Sequence, residues 1–178
     1  SSFIEFEKQF IRLQQVTGDS AQSLGRLQTS ITKLSTGLGV TSQELSQVSV
    51  TLAQAGLNAR ETEKALEALA LSALAPSFDN LNNTVEGSIA LMRQFGISSN
   101  DLGKALGSIN AVAASFAVEA GDIIKAISRT GGVFANASKG VSEGTDALNE
   151  FIAVFTSVRA TTRESAETIA TGLRTIFT

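Results

Sequence analysis

The chain of 178 residues contains no cysteine, histidine, tryptophan or tyrosine, and it has a single proline, Pro76. Without cysteine it can form no disulfide, and without cysteine and histidine it lacks the usual ligands of zinc sites. The same absences exclude a cysteine nucleophile and a Ser-His-Asp triad. A GxxxxGK[ST] phosphate-binding loop is also missing from the sequence. We therefore expect a protein that is not an enzyme, with no catalytic residue, no metal and no cofactor.

Charge is also sparse, with 17% charged residues against 43% hydrophobic ones and a net charge of −3. This balance is typical of a globular protein and not of a disordered one. Specific nucleic-acid binding is not expected, because it would need a basic patch that neutralises phosphates. The longest uncharged apolar stretch, residues 105–118, is 14 residues long and contains serine and asparagine. It is too short and too polar to span a bilayer, and we interpret it as a buried core helix.

Apolar residues recur along the chain at the spacing of an α-helix. Several predicted helices open with a capping side chain three residues before an acid, as at Thr41 with Glu44 and at Asn58 with Glu61. The pattern predicts an all-α fold, a compact multi-helix bundle of about seven to nine helices with short Gly/Ser turns. A solenoid of stacked helical pairs is the alternative. The predicted helices begin near residues 41, 58, 78, 98, 118, 142 and 161. The strongest apolar stripe, expected in the core, comprises Ala147, Leu148, Phe151, Ile152, Phe155 and Val158.

The beginning of the chain has a pattern of its own. Apolar residues there are separated by 3, 4, 3 and 4 positions, a heptad-like spacing formed by Leu24, Leu27, Ile31, Leu34 and Leu38. This stripe belongs either to a coiled coil or to a helix packed on the rest of the chain. We divide the chain into a heptad-like helical lead-in, residues 1–38, and a helical bundle domain, residues 39–178.

Two helix boundaries in the second half of the chain depend on local sequence. Gly131 and Gly132 are adjacent, and together they disfavour a helix by roughly 2 kcal/mol relative to two alanines. We therefore expect a kink or a break at this pair. Thr161 precedes Glu164 by three residues, a capping-box pattern that predicts the start of the last helix. No glycine, asparagine or proline ends that helix, and we expect it to continue in a longer protein.

Small residues recur on one side of two predicted helices. A GxxxG spacing and a similar face on the last helix would each let another helix approach closely, within this domain or from a neighbouring subunit. These candidate helix-packing or subunit-contact residues are Gly103, Gly107, Thr168, Gly172 and Thr175.

Three acids, Glu61, Glu63 and Glu67, lie close together in the sequence and are candidates for acid/base chemistry. Two carboxylates suffice to hydrolyse a sugar. Glu63 and Glu67 lie on the predicted surface of a helix, however, and a solvated helix face is the interpretation that we prefer.

Three stretches carry a resemblance to a known family. Residues 6–57 open with Phe6-Glu7, contain Val16-Thr17-Gly18 and end in AQAGL. Residues 94–127 begin QFGISSNDLGKALG, and the final stretch contains the core GLRTIF. Together and in this order they resemble the conserved region of the tape measure proteins of long-tailed phages.

That resemblance implies a structural virion protein in the lumen of the tail tube, present in the host cytoplasm during assembly. Such a protein sets tail length, templates assembly of the tube and leaves before DNA is ejected. The implied partners are further copies of the chain around the tail axis, commonly three, together with tail-tip or baseplate proteins, the tail-tube protein and tail assembly chaperones. Contact with a membrane would be confined to ejection.

Two other classes of protein remain open. One is a helical effector or toxin that inserts apolar hairpins into membranes, for which residues 65–75 and 105–118 are the candidates. The other is a cell-wall hydrolase module that would use Glu63 or Glu67. Liposome binding would indicate the first class. Loss of zymogram activity on substitution of either glutamate would indicate the second.

Overall fold

A computed structural model describes residues 2–72, 78, 80–116, 118–141, 143–162 and 166–177. All regular secondary structure in these ranges is α-helical, which confirms the all-α prediction. The helices within them are α1 (Ser2–Thr17), α2 (Ala21–Leu38), α3 (Ser42–Gln54), α4 (Ala59–Ser72), α5 (Leu81–Arg93), α6 (Leu102–Phe116), α7 (Ala120–Ala137), α8 (Gly144–Thr162) and α9 (Ala166–Phe177).

Contacts between helices group the chain into two compact units, Ser1–Leu74 and Ala75–Thr178. In the first unit α1 packs on α3, and α2 packs on α4. This grouping differs from the division that the sequence suggested at residue 39. The physical reason is burial, because the apolar stripe of α1 and α2 packs inside this unit through Leu13, Leu24, Leu27 and Ile31.

Local hydrogen bonds fix the helix starts of the first unit. The Glu44 amide donates to Thr41 Oγ1 at 3.1 Å, and the Thr41 amide donates to Glu44 Oε2 at 3.0 Å. Asn58 and Glu61 exchange the same pair of bonds at 2.9 and 3.1 Å. Both predicted capping boxes are confirmed, and each satisfies two amide donors that a helix start leaves unpaired.

The second unit is built around α7, which contacts α5, α6, α8 and α9. Phenylalanine rings fill part of its core. Phe151 lies edge-on to Phe134, with ring centroids 5.3 Å apart, and edge-on to Phe95 at 6.2 Å. The predicted core stripe of α8 is confirmed at Ala147, Leu148, Phe151, Ile152 and Phe155, all of which are buried, while Val158 is half-buried.

The break predicted at Gly131 and Gly132 is wrong, because α7 continues through both residues. Tight packing explains why glycine is present here. A Cβ at Gly131 would lie 2.8 Å from Phe95 Cε2, and one at Gly132 would lie 2.9 Å from Gln94 Cδ. The close approach of Gln94 and Phe95, which directly follow α5, therefore offsets a propensity cost of roughly 2 kcal/mol.

Two other helix starts differ from the predictions. Ser98 and Asp101 do bond to each other, with the Asp101 amide donating to Ser98 Oγ at 3.3 Å, but α6 begins only at Leu102. The start predicted at Thr161 is wrong, because α8 extends to Thr162 and α9 begins at Ala166. Glu164, the other half of that predicted capping box, lies outside the described residues.

Candidate subunit-contact surfaces

The small residues of α6 lie on its exposed side. Gly103, Gly107, Ala111 and Ala114 follow one another at helical spacing, and all four are exposed. A Cβ built at Gly107 would meet no atom within 4 Å. The opposite side carries the buried residues Leu102, Ala105, Leu106, Ile109 and Ala113. The core helix predicted at 105–118 thus buries one face only.

The last helix has the same division into a buried and an exposed side. Ile169, Ala170 and Leu173 are buried, and α9 packs on α7 and α8. Thr168, Gly172 and Thr175 are exposed, and no atom lies within 4 Å of a Cβ built at Gly172. The Thr175 hydroxyl donates to the Thr171 carbonyl at 3.0 Å.

The structure therefore places the five predicted contact residues on the open faces of two helices, α6 and α9. Among the described residues, no atom of another helix lies within 4 Å of a Cβ built at Gly107 or Gly172. Contact with another subunit stays a prediction for both faces.

The acids of α4 have structural contacts. Glu61 caps its own helix start. Glu63 Oε1 accepts from the Ser30 hydroxyl of α2 at 2.6 Å, and Glu67 Oε2 lies 3.7 Å from Lys64 Nζ. These contacts cap α4, link it to α2 or pair charges on its surface. Within the described part of the chain, no three acids lie close enough together to hold a metal ion.

The alternative of a membrane-inserting effector or toxin can be compared with the length and apolar character of the described helices. None of the described helices combines the length and the apolar character that crossing a bilayer requires.

The family model of the phage-related minor tail proteins matches residues 28–178. The chain belongs to this family. The matched range extends from within α2 to the end of the sequence, so it includes both candidate surfaces, on α6 and on α9. No curated protein and no solved structure matches this minor tail protein. Its role is structural, as a component of the phage tail.

Proposed function

We propose that this minor tail protein is the docking domain of a tape measure protein. It would lie in the lumen of the tail tube, anchor the chain that sets tail length and templates the tube, and leave before DNA ejection. The role is structural and not catalytic. The family match supports a place in the tail, and the three stretches that resemble tape measure proteins support the finer assignment.

The partners follow from the same proposal. Several copies, three in the commonest arrangement, would surround the tail axis. The open faces of α6 and α9 are the surfaces that we assign to contacts between copies, because small side chains let helices approach closely. Tail-tip or baseplate proteins, the tail-tube protein and assembly chaperones would contact other parts of the surface.

The observation that carries the docking role is the shortness of the helices. A molecular ruler needs each residue to add a fixed axial length, about 1.5 Å in a continuous helix. The longest described helix, α8, has 19 residues, and the helices pack side by side within two compact units. Removing residues here would change how the helices pack together. It would not shorten the protein along the tail axis by a fixed length per residue. The ruler would therefore be a longer helix elsewhere in the full protein.

The test is to remove α3 and α4, residues 42–72, in frame and to measure tail lengths by electron microscopy. The deletion takes away the surfaces that bury Leu13 and Leu27. Absent or malformed tails would support docking. Uniform tails shortened by about 1.5 Å for each residue removed would show that this segment is part of the ruler. The matched control removes the same number of residues from a continuous helix outside this segment, and it should give shorter, well-formed tails.

A further inference from the structure

The helices α1 and α2 share one heptad register, although a turn separates them. The positions that form a heptad seam recur with steps of 3 and 4 from Phe3 to Leu38, and the turn causes no shift. A connection of arbitrary length would keep this register in only about one case in seven. In chain order the seam residues are Phe3, Phe6, Phe10, Leu13, Thr17, Ser20, Leu24, Leu27, Ile31, Leu34 and Leu38.

A single straight helix from Ser2 to Leu38 would therefore carry one continuous seam about 55 Å long. Only Thr17 and Ser20, at the turn, would place polar side chains in that seam. Because the register is continuous, the seam of α1 would lie on the same side of the straight helix as the seam of α2.

The α1–α2 turn is short and is held by bonds that a straight helix could replace. Gly18 has a φ of 65°, in the left-handed region, yet its amide still donates to the carbonyl four residues earlier, as in a helix. The Asp19 amide donates to Thr17 Oγ1 at 3.1 Å, and the Ser23 amide donates to Ser20 Oγ at 3.2 Å. In a straight helix, backbone carbonyls would accept from both amides. The sequence of residues 1–38 contains no proline that would prevent this.

A side-chain bond ties this turn to another helix of the first unit. Asp19 Oδ2 accepts from the Ala59 amide, at the start of α4, at 2.8 Å. The bond satisfies an amide that a helix start leaves without a backbone partner. Asp19 therefore stabilises the bent arrangement of α1 and α2.

Helix α1 packs mainly on α3, and this contact is imperfect. Among the described side chains of α1, Leu13 is buried, whereas the apolar Ile11 and Val16 are exposed. Gln9 Nε2 donates to Gln47 Oε1 of α3 at 2.9 Å. Gln9 Oε1 is buried and has no hydrogen-bond partner in the described part of the chain, which weakens the contact.

We propose that α1 is exchanged between copies of this chain. The turn at residues 18–20 straightens, α1 and α2 become one helix, and α1 packs on α3 of a second copy. The contacts of Gln9 and Leu13 are then made again between chains, so the exchange changes little besides the turn. The inference deepens the contacts between copies in the proposed function, and it rests on that function for the presence of neighbouring copies in the tail.

The other possible partner of a straightened α1 is the α1 of another copy, in a coiled coil. That pairing would leave the face of α3 that α1 covers without a partner and expose its apolar surface to water. Exchange covers the same face in every copy, and we therefore favour α3 of a second copy as the binding site.

Cross-linking can detect the exchange, because the chain has no cysteine of its own. Gln9→Cys and Gln47→Cys, each in a separate copy of the 178-residue protein, place thiols on α1 and α3 where the two side chains meet. The two forms are produced together in one cell, purified and treated with a short bis-maleimide. A denaturing gel then shows the fraction of chains joined between position 9 of one copy and position 47 of another. Each form produced alone is the control for other pairings.

The test variant adds Gly18→Ala and Asp19→Ala to both forms. Alanine at Gly18 is strained in the bent turn, where φ is positive, but favours a helix, and Asp19→Ala removes the bond to Ala59. The matched control is Gly25→Ala, within α2. Gly25 has no positive φ, and a Cβ there would meet no atom within 4 Å.

The turn variant should increase the ratio of cross-linked to uncross-linked chains at least about tenfold over the unmodified turn at equal protein concentration. Gly25→Ala should leave this ratio unchanged. Light scattering should show a larger mass for the turn variant, because the exchange joins copies. Circular dichroism establishes that each variant is folded, and Asp19→Ala alone replaces the double change if it is not.

Two outcomes would overturn the proposal. One is a turn variant that cross-links no more than Gly25→Ala does. The other is equal cross-linking in Gln9→Cys produced alone, which would show that straightened α1 helices pair with each other. Failure here is distinguishable from failure of the docking role, because tails shortened in proportion to a deletion would refute docking without altering cross-linking of the isolated protein.

Discussion

The central helix α7 of the second unit begins differently from the helices of the first unit. In Ser1–Leu74, α2, α3 and α4 each begin at a side chain, Ser20, Thr41 or Asn58, that accepts a bond from a first-turn amide. In Ala75–Thr178 the central helix α7 begins after Glu119, which makes no side-chain capping bond. In the same unit α5 does begin at a cap, because the Asn83 amide donates to Asn80 Oδ1 at 3.1 Å. The comparison teaches that nearby side chains set the starts of α2, α3, α4 and α5, whereas contacts with four neighbouring helices hold α7.

The buried side chains of the two units also differ in type. Buried hydrophobic side chains described in the first unit are aliphatic, with Leu27, Leu52 and Leu66 fully enclosed. In the second unit Phe151 and Phe155 are among the largest buried side chains. Edge-on rings have preferred geometries that aliphatic side chains lack. The second unit thus relies on specific distant contacts to hold its helices.

The largest effect should come from Phe151→Ala. This change removes the ring that contacts both Phe95 and Phe134, and it should lower the free energy of unfolding by about 3–5 kcal/mol. Urea denaturation followed by circular dichroism measures the loss. Phe116→Ala is the control, because Phe116 is 48% exposed and its loss should cost about 0.5 kcal/mol. Equal losses of stability in the two variants would show that the contacts of Phe151 with Phe95 and Phe134 do not stabilise the core.

Alanine substitutions at a glycine of α7 and a glycine of α6 should change the free energy of unfolding in opposite directions. Gly131→Ala drives a Cβ to 2.8 Å from the buried Phe95 ring and should lower the free energy of unfolding by about 1–3 kcal/mol. Gly107→Ala meets nothing within 4 Å and should raise it by about 0.5–1 kcal/mol through helix propensity. Thermal and urea unfolding measure both changes. If the two substitutions stabilise alike, packing is not the reason for glycine in α7.

The smallest expected effects come from substitutions at helix starts. They distinguish a start with a side-chain cap, at α3, from one without, at α7. Thr41→Ala removes one half of a capping box and should lower the free energy of unfolding by about 1 kcal/mol. Glu119→Ala removes a side chain that caps nothing, and its cost should stay within about 0.5 kcal/mol. Hydrogen exchange in the first turns of α3 and α7 measures both. Larger protection losses at α7 than at α3 would contradict the comparison.

Sequence reasoning succeeded where the determining contacts are local. The starts of α3 and α4 follow from two side chains three residues apart, Thr41 with Glu44 and Asn58 with Glu61, so no knowledge of the rest of the fold is needed. The core stripe of α8 could likewise be predicted from the sequence, because Phe151 and Phe155 recur on one helical face.

Distant contacts explain what sequence reasoning missed. Nothing local shows that Phe95 and Gln94 lie against Gly131 and Gly132 and keep α7 continuous. The small residues of α6 were recognised, but their exposure follows from which face the other helices cover.

The most direct test of the docking role is an electron cryo-microscopy map of an intact tail that contains this minor tail protein. We predict that residues 28–178 will be found folded, with α3 to α9 as separate short helices at one axial position in the tail. A single helix running along the tube lumen through these residues would contradict the account, because each residue would then add to the length that is measured.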